Sequence, residues 1–276
     1  MRPSTGLFAT VLAFTTAALA VPGPARADDS VGILVLKEHQ TGTAAQHQPY
    51  VDKELVVLAR LMGWASAKGS YQTTRSGADT YVKASKPRYG IYTLAAFLAQ
   101  RDKYNLVVVG QELASVADGQ QYFLVSKTAT DAAGCKGKKL ATDLGDDTRF
   151  VDKVVFDGKL SLSQFTLVTT ARPAQAGKQV MAGTAACALV DDAELADLKQ
   201  VSGGAAVKTL WTSAKLPPVV VAAFASAPAA DRSALSATLP KLCQGDGKQV
   251  CVEMGITGYK AAGAADYAAV MTAYNR

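Results

Sequence analysis

Three acid-bearing stretches each follow a short apolar run: EHQTGTAAQHQPY (38–50), ATDLGDD (141–147) and CALVDDAE (187–194). Carboxylates placed there can accept hydrogen bonds, hold a cationic group or share a proton. They can equally cap a helix, as Asp191 and Asp192 are placed to do for AELADLK (193–199). The spacing forces no paired-carboxylate geometry, so glycosidase-like chemistry is not specified. His39 and His47 share a polar loop, where solvated imidazoles are a more ordinary reading than metal ligation. The sequence contains no G-x-S-x-G, no H-E-x-x-H, no Walker loop and no G-x-G-x-x-G after a strand. The residues therefore point to binding rather than catalysis, with no cofactor and no metal expected.

The elements that must carry these stretches alternate. VGILVLK (31–37) reads as a buried strand, and VDKELVVLARLMGW (51–64) as a helix with apolar residues at three- and four-residue spacing. RYGIYT (88–93), LAAFLAQR (94–101) and NLVVVGQ (105–111) read as strand, helix, strand. A second series follows QYFLVSK (121–127): KKLAT (138–142), DDTRFVDKVVF (146–156), FTLVTT (165–170), PAQAGKQVMAG (173–183), CALVDD and AELADLK. PVVVAAF (218–224), a helix at SALSATLPKL (233–242) and a closing loop plus helix complete the chain. Strand–helix alternation implies mainly parallel sheets covered on both faces. An economical path crosses to a second unit near residue 113 and returns near 212.

The first 27 residues carry the marks of an export signal: Arg2, an uncharged apolar core, and ARA at 25–27. The apolar run is shorter than a bilayer span requires. Removing Arg2 and Arg26 lowers the formal charge from +6 to +4. Basic residues are dispersed among acids, so no nucleic-acid footprint is present. Four cysteines in an exported chain favour disulfides, although three pairings are possible and buried thiols are the rival. Cys243 with Cys251 and Cys135 with Cys187 is the favoured set. If 138–142 and 187–192 are neighbouring parallel strands, Cys135 and Cys187 lie at the same end of both.

YGIYTLAAFL, FLVSK, KGKKLAT, VMAGTAACALVDD and KLPPVVVAAF, in this order and spacing, resemble the periplasmic substrate-binding proteins of phosphate, phosphite and phosphonate ABC importers. The resemblance covers about 31–276. It implies a two-lobed type II periplasmic binding protein fold: signal peptide 1–27, lobe I 28–112 and 213–276, lobe II 113–212, two hinge crossings and a cleft. It further implies a soluble periplasmic monomer that captures a small ligand, such as phosphonate, phosphite or phosphate, for a membrane permease. A periplasmic ligand-sensing module and an exported hydrolase are the alternatives.

In open α/β sheets ligands sit beyond the carboxyl ends of the strands. The candidate contacts are therefore Glu38, His39 and Gln40 after the first strand, and Asp143 and Asp191 in the second series. The family resemblance adds Tyr89, Tyr92 and Thr93 from RYGIYT, and Thr142 from a loop that in phosphonate binders is rich in Ser, Thr and Gly. Two departures from the family pattern stand out. Asp143, Asp146 and Asp147 intrude in that loop, and Ala186 stands where an acid is expected after Val180, Gly183 and Ala185.

Overall fold

The structure is a computed structural model that describes residues 30–40, 42–114, 120–171 and 174–276. The expected export signal, 1–27, lies outside the described residues, as does 115–119.

The first series is β1 (Ser30–Leu36), α1 (Ala44–Met62), β2 (Ser66–Gln72), α2 (Arg75–Ser85), β3 (Tyr89–Tyr92), α3 (Leu94–Tyr104) and β4 (Val107–Ala114). The second is β5 (Tyr122–Ser126), β6 (Lys139–Thr142), α4 (Thr148–Phe150), β7 (Thr166–Thr169), α5 (Ala174–Met181), β8 (Cys187–Asp191), α6 (Asp192–Gln200) and β9 (Lys208–Thr212). The chain then returns through β10 (Val219–Ala223), α7 (Ala229–Thr238), α8 (Gly247–Glu253), β11 (Ile256–Ala261) and α9 (Ala268–Asn275).

Two sheets result, ordered β11-β4-β10-β3-β1-β2 and β7-β6-β8-β5-β9. β1, β2 and β3 run parallel, as do β6, β7 and β8. β10 is antiparallel to β3 and β4, and β5 is antiparallel to β8 and β9. The sheets are thus mixed, for a topological reason. Each crossing delivers the chain to the edge where the parallel strands end, so the first strand after it must run back the other way.

α1 begins seven residues before the periodicity predicts. Thr43 caps it, and Gln46 closes a reciprocal capping box, so 44–50 is helix rather than loop. His47 consequently sits on α1, stacked on Tyr71 at 4.7 Å between ring centroids. The predicted helix at 146–156 is α4 followed by one wide turn over Val151–Val155, in which Phe156 N–H reaches back to the Val151 carbonyl. α9 lies against this turn. Arg149 Nε donates to the Tyr274 carbonyl at 2.8 Å, and Arg276 pairs with Asp157. One apolar cluster, including Leu36, Phe97, Phe150 and Tyr267, joins the two halves. Both favoured disulfides are present, and β6 and β8 are neighbouring parallel strands.

A polar network is buried under the first sheet. Tyr259 Oη donates to Glu54 and lies 3.2 Å from Glu112 Oε2, and Glu112 pairs with Lys37. Burial, then the Glu112 charge, pushes the Glu54 carboxyl up to about 7, against the opposing pull of Tyr259 and Lys37. A raised carboxyl binds its proton more tightly folded than unfolded. Its stabilisation is therefore fully present below the unfolded value of 4.5 and is lost as pH rises through about 7. Glu54→Gln is expected to flatten this decline, so that denaturant unfolding at pH 5 and pH 8 differs less in the variant. Parallel profiles would contradict the assignment.

Candidate functional site

The parallel strands of both sheets end on a shared cleft. Its inner part is a cavity of about 40 Å³, room for about three water-sized positions. Glu38, His39 and Gln40 reach it from the end of β1, and Thr93, Leu94 and Ala95 from the start of α3. Asp143 and Leu144 follow β6; Leu189, Asp191 and Glu194 come from β8 and α6. Tyr122 at the start of β5 and Pro217–Val219 at the second crossing close the hinge side. A wider outer cavity of about 560 Å³ shares Glu38, His39, Gln40 and Asp143 and continues to Thr74 and Arg75.

Of the residues singled out by sequence, Glu38, His39, Gln40, Thr93, Asp143 and Asp191 are brought together here. Tyr89 and Tyr92 are not. β3 is buried on both faces, and its period-two alternation turns Tyr89 onto Trp64 while Tyr92 folds over Gly90 inside the lobe. Burial raises the phenol of Tyr89 to about 12 and that of Tyr92 further. Thr142 is fully buried beneath the cavity, where its Oγ1 accepts from Leu144 N–H at 3.2 Å and shapes the turn. Asp191 does both things the sequence left open: it caps α6 through a reciprocal box with Glu194 and it lines the cavity. Sequence reading missed Glu194, Tyr122 and the Pro217–Pro218 wall. The D-x-x-E spacing of Asp191 and Glu194 was the available signal for the first.

Charge pairs cross the cleft. Arg75, the first residue of α2, donates from Nε to Glu38 Oε2 at 2.9 Å and from Nη2 to Asp147. His39 Nδ1 lies 3.4 Å from Asp143 Oδ2. Glu38, His39 and Arg75 belong to the first sheet's connections, and Asp143 and Asp147 to the second's. Burial depresses the His39 imidazole, but Asp143, Glu38 and Asp146 outweigh it and hold the ring above its ordinary value. Burial raises Glu38, against the pull of Arg75.

α3 enters the site with its N-terminus. Thr93 occupies the cap position without a side-chain capping bond, and its Oγ1 is buried with no hydrogen-bond partner. The first turn of a helix presents unpaired N–H groups and a positive dipole end. Among the described residues, no group of three or more His, Cys, Asp or Glu is placed to hold a metal ion, and no helix is long and apolar enough to cross a membrane.

Two α/β lobes, two crossings and a buried polar cavity between strand ends define a solute-binding protein of the periplasmic type. The family model for periplasmic substrate-binding proteins of phosphonate ABC transporters matches residues 94–267, more than half of the chain, and the chain belongs to that family. Its members are substrate-binding transport proteins rather than enzymes. No curated protein matches the chain.

Solved structures share the fold at low identity. A binding component of an ABC phosphonate transporter from Pseudomonas aeruginosa is 14% identical, with 89% of this chain and 86% of that one covered and a TM-score of 0.64. PhnD1 of Prochlorococcus marinus, solved with methylphosphonate, is 9% identical over 90% and 97%, with a TM-score of 0.63. The aliphatic sulphonate binding protein of Escherichia coli is 14% identical over 90% and 86%, at 0.56.

Proposed function

We propose that the mature chain is a monomeric periplasmic protein, exported on the signal 1–27, that captures a small solute bearing a phosphorus oxyanion and presents it to the membrane permease of an ABC importer. Lobe I is 28–112 with 213–276, and lobe II is 113–212, with α9 laid across onto lobe II. The observation that carries the reading is the start of α3. The start of α3 lines the cavity between the lobes, and its cap residue Thr93 carries a buried Oγ1 with no hydrogen-bond partner; a helix N-terminus so placed suits an oxyanion. Hinge closure then buries the solute, and closed and open populations follow its differential affinity for the two states.

A thermal-shift panel on the ligand-stripped mature chain tests this, with phosphate, phosphite, several phosphonates, sulfate, an alkyl sulfonate, amino acids and sugars. A ligand at about 100 times its Kd adds about 2.7 kcal/mol, which for a chain of this size raises Tm by roughly 5–10 °C. A rise with phosphorus oxyanions supports the reading. A rise only with other solutes keeps solute capture and removes the oxyanion.

A further inference from the structure

The end of the second sheet opposite the cleft is built from the starts of its parallel strands. β6 and β8 run parallel and carry Asp143 and Asp191 to the cleft at their carboxyl ends. Their first residues, Lys139 and Cys187, therefore stand at the far end. β5 runs the other way, so its last residue, Ser126, pairs with Cys187 on one side and with Lys208, the first residue of β9, on the other. The Cys135–Cys187 disulfide holds the turn before β6 at the same place. Lys127, Lys136, Lys138, Lys139 and Lys208, dispersed along the chain, are thereby gathered at one pole, and all five are exposed.

This pole carries little counter-charge. A groove of about 620 Å³ runs between Lys127, Lys138, Lys139 and the segment 180–186, and no acid lines it. In the connections 127–138, 182–186 and 201–207 the one acid is Asp131, whose carboxylate accepts from Gly134 N–H at 2.8 Å within its own turn. The connection to β7 adds Asp157, which is already paired with Arg276 and Lys159. None of the five lysines forms an ion pair among the described residues; Lys127 Nζ donates to the Met181 carbonyl at 3.4 Å. The lysines stand on or beside β6, β5 and β9, three strand steps from first to last, or about 14 Å. Screening at physiological salt acts over about 8 Å, so neighbouring lysines meet a facing surface as one field.

The composition of the groove selects the partner. Residues 127–128, 136–139 and 180–186 include no aromatic side chain and no arginine, the types that anchor protein–protein interfaces, whereas lysine is depleted there. Arginine is also the residue suited to a bidentate grip on one fixed phosphate. Hydrated lysines on flexible stems instead suit a surface of many anionic headgroups. We propose that this pole of the second sheet adsorbs to a bilayer surface bearing anionic phospholipids. The contact is electrostatic and peripheral, since these residues include no large exposed apolar side chain and no helix among the described residues is long and apolar enough to cross a membrane. It leaves the cleft unobstructed, it does not depend on the reading of the cleft as the solute site, and it keeps the protein at the membrane where an importer works.

Flotation of the mature chain with vesicles of phosphatidylcholine alone, and of an equal mixture of phosphatidylcholine and phosphatidylglycerol, tests this. Binding is expected to the mixed vesicles only, and is expected to be lost at about 1 M salt, where the screening length falls to about 3 Å. Each lysine near an anionic surface changes partition about fivefold, so replacing Lys127, Lys138 and Lys139 together by glutamine is expected to weaken binding about 100-fold. Replacing Lys83, Lys241 and Lys248, exposed lysines around the first sheet, removes the same net charge and is expected to leave most of the binding. Both triple variants are expected to unfold at the wild-type Tm. Equal binding to neutral vesicles, no binding to either kind, or equal losses in the two variants overturns the proposal. Salt-sensitive binding to polyglutamate with the mixed vesicles left unbound assigns the pole to an acidic polypeptide and overturns it as well.

Discussion

Replacing Cys135 and Cys187 together by alanine is expected to lower the Tm of the oxidised mature chain by about 8–16 °C. The bond spans 52 residues, and cross-linking a loop of that length removes about 4 kcal/mol of chain entropy from the unfolded state. At this chain size each kcal/mol moves Tm by roughly 2–4 °C. Both cysteines are fully buried. They tie the short turn before β6 to the start of β8, so the pair also fixes the strands that deliver Asp143 and Asp191. Cys243 and Cys251 are only 8 residues apart, and the same argument gives about 2.5 kcal/mol for them. The informative result is the order. Thermal unfolding of the two double variants should show the larger loss for Cys135 and Cys187, and the reverse order would contradict the account.

The second large effect concerns opening rather than unfolding. Arg75→Met is expected to shift the ligand-free protein toward an open form, seen as a larger radius of gyration in X-ray scattering, and to weaken solute binding. The substitution leaves Glu38, 9% exposed, and Asp147, 4% exposed, facing each other across the cleft without their shared cation. Removing one partner of a buried pair costs about 3–5 kcal/mol. Arg75 itself is 32% exposed, so solvent screening reduces this to about 1–3 kcal/mol. Separation of the lobes rehydrates both carboxylates, so the cost is relieved by opening. Arg75→Lys restores charge but not the two-pronged geometry and should recover only part of the closed population. His39 adds a pH dependence. Its imidazole is held above its ordinary value, so its contribution is fully present below the unfolded value of 6.5 and fades as pH rises through the higher folded one. Scattering profiles of wild type and Arg75→Met that coincide would remove Arg75 from the closing mechanism.

Most of the fold was legible because its central strands are short apolar runs and its helices carry regular periodicity. What escaped has physical causes. β2, SAKGSYQ, is an edge strand with one buried residue, Tyr71. Its Gly69 is set by packing, since a Cβ there would meet Leu55 of α1 at 2.5 Å. β11 is likewise an edge strand, hidden in a segment that reads as loop. The start of α1 was obscured by Pro49 inside the helix, although the Thr43–Gln46 capping spacing was readable. In the site, the rule that ligands sit beyond strand ends found Glu38, His39, Gln40, Asp143 and Asp191, whose positions follow from topology. Tyr89 and Tyr92 were placed by family resemblance, which transfers a segment but not the face each side chain takes. Glu194 enters the cavity only through a helix turn that backbone periodicity does not orient. The intruding acids of ATDLGDD prove to be structural and cleft-facing at once: Asp147 takes Arg75, while Asp143 faces His39 and the cavity.

The central claim is stoichiometric, reversible capture of a solute in the cavity between the lobes. Isothermal titration of the tightest-binding solute into the wild type and into Ala95→Trp tests it most directly, because Ala95 lines the cavity at the start of α3 and an indole there fills it. The account predicts one solute per wild-type chain, recovered unchanged after dialysis, and no binding to a variant that still unfolds cooperatively. Undiminished binding to Ala95→Trp, or conversion of the solute by the wild type, would contradict it.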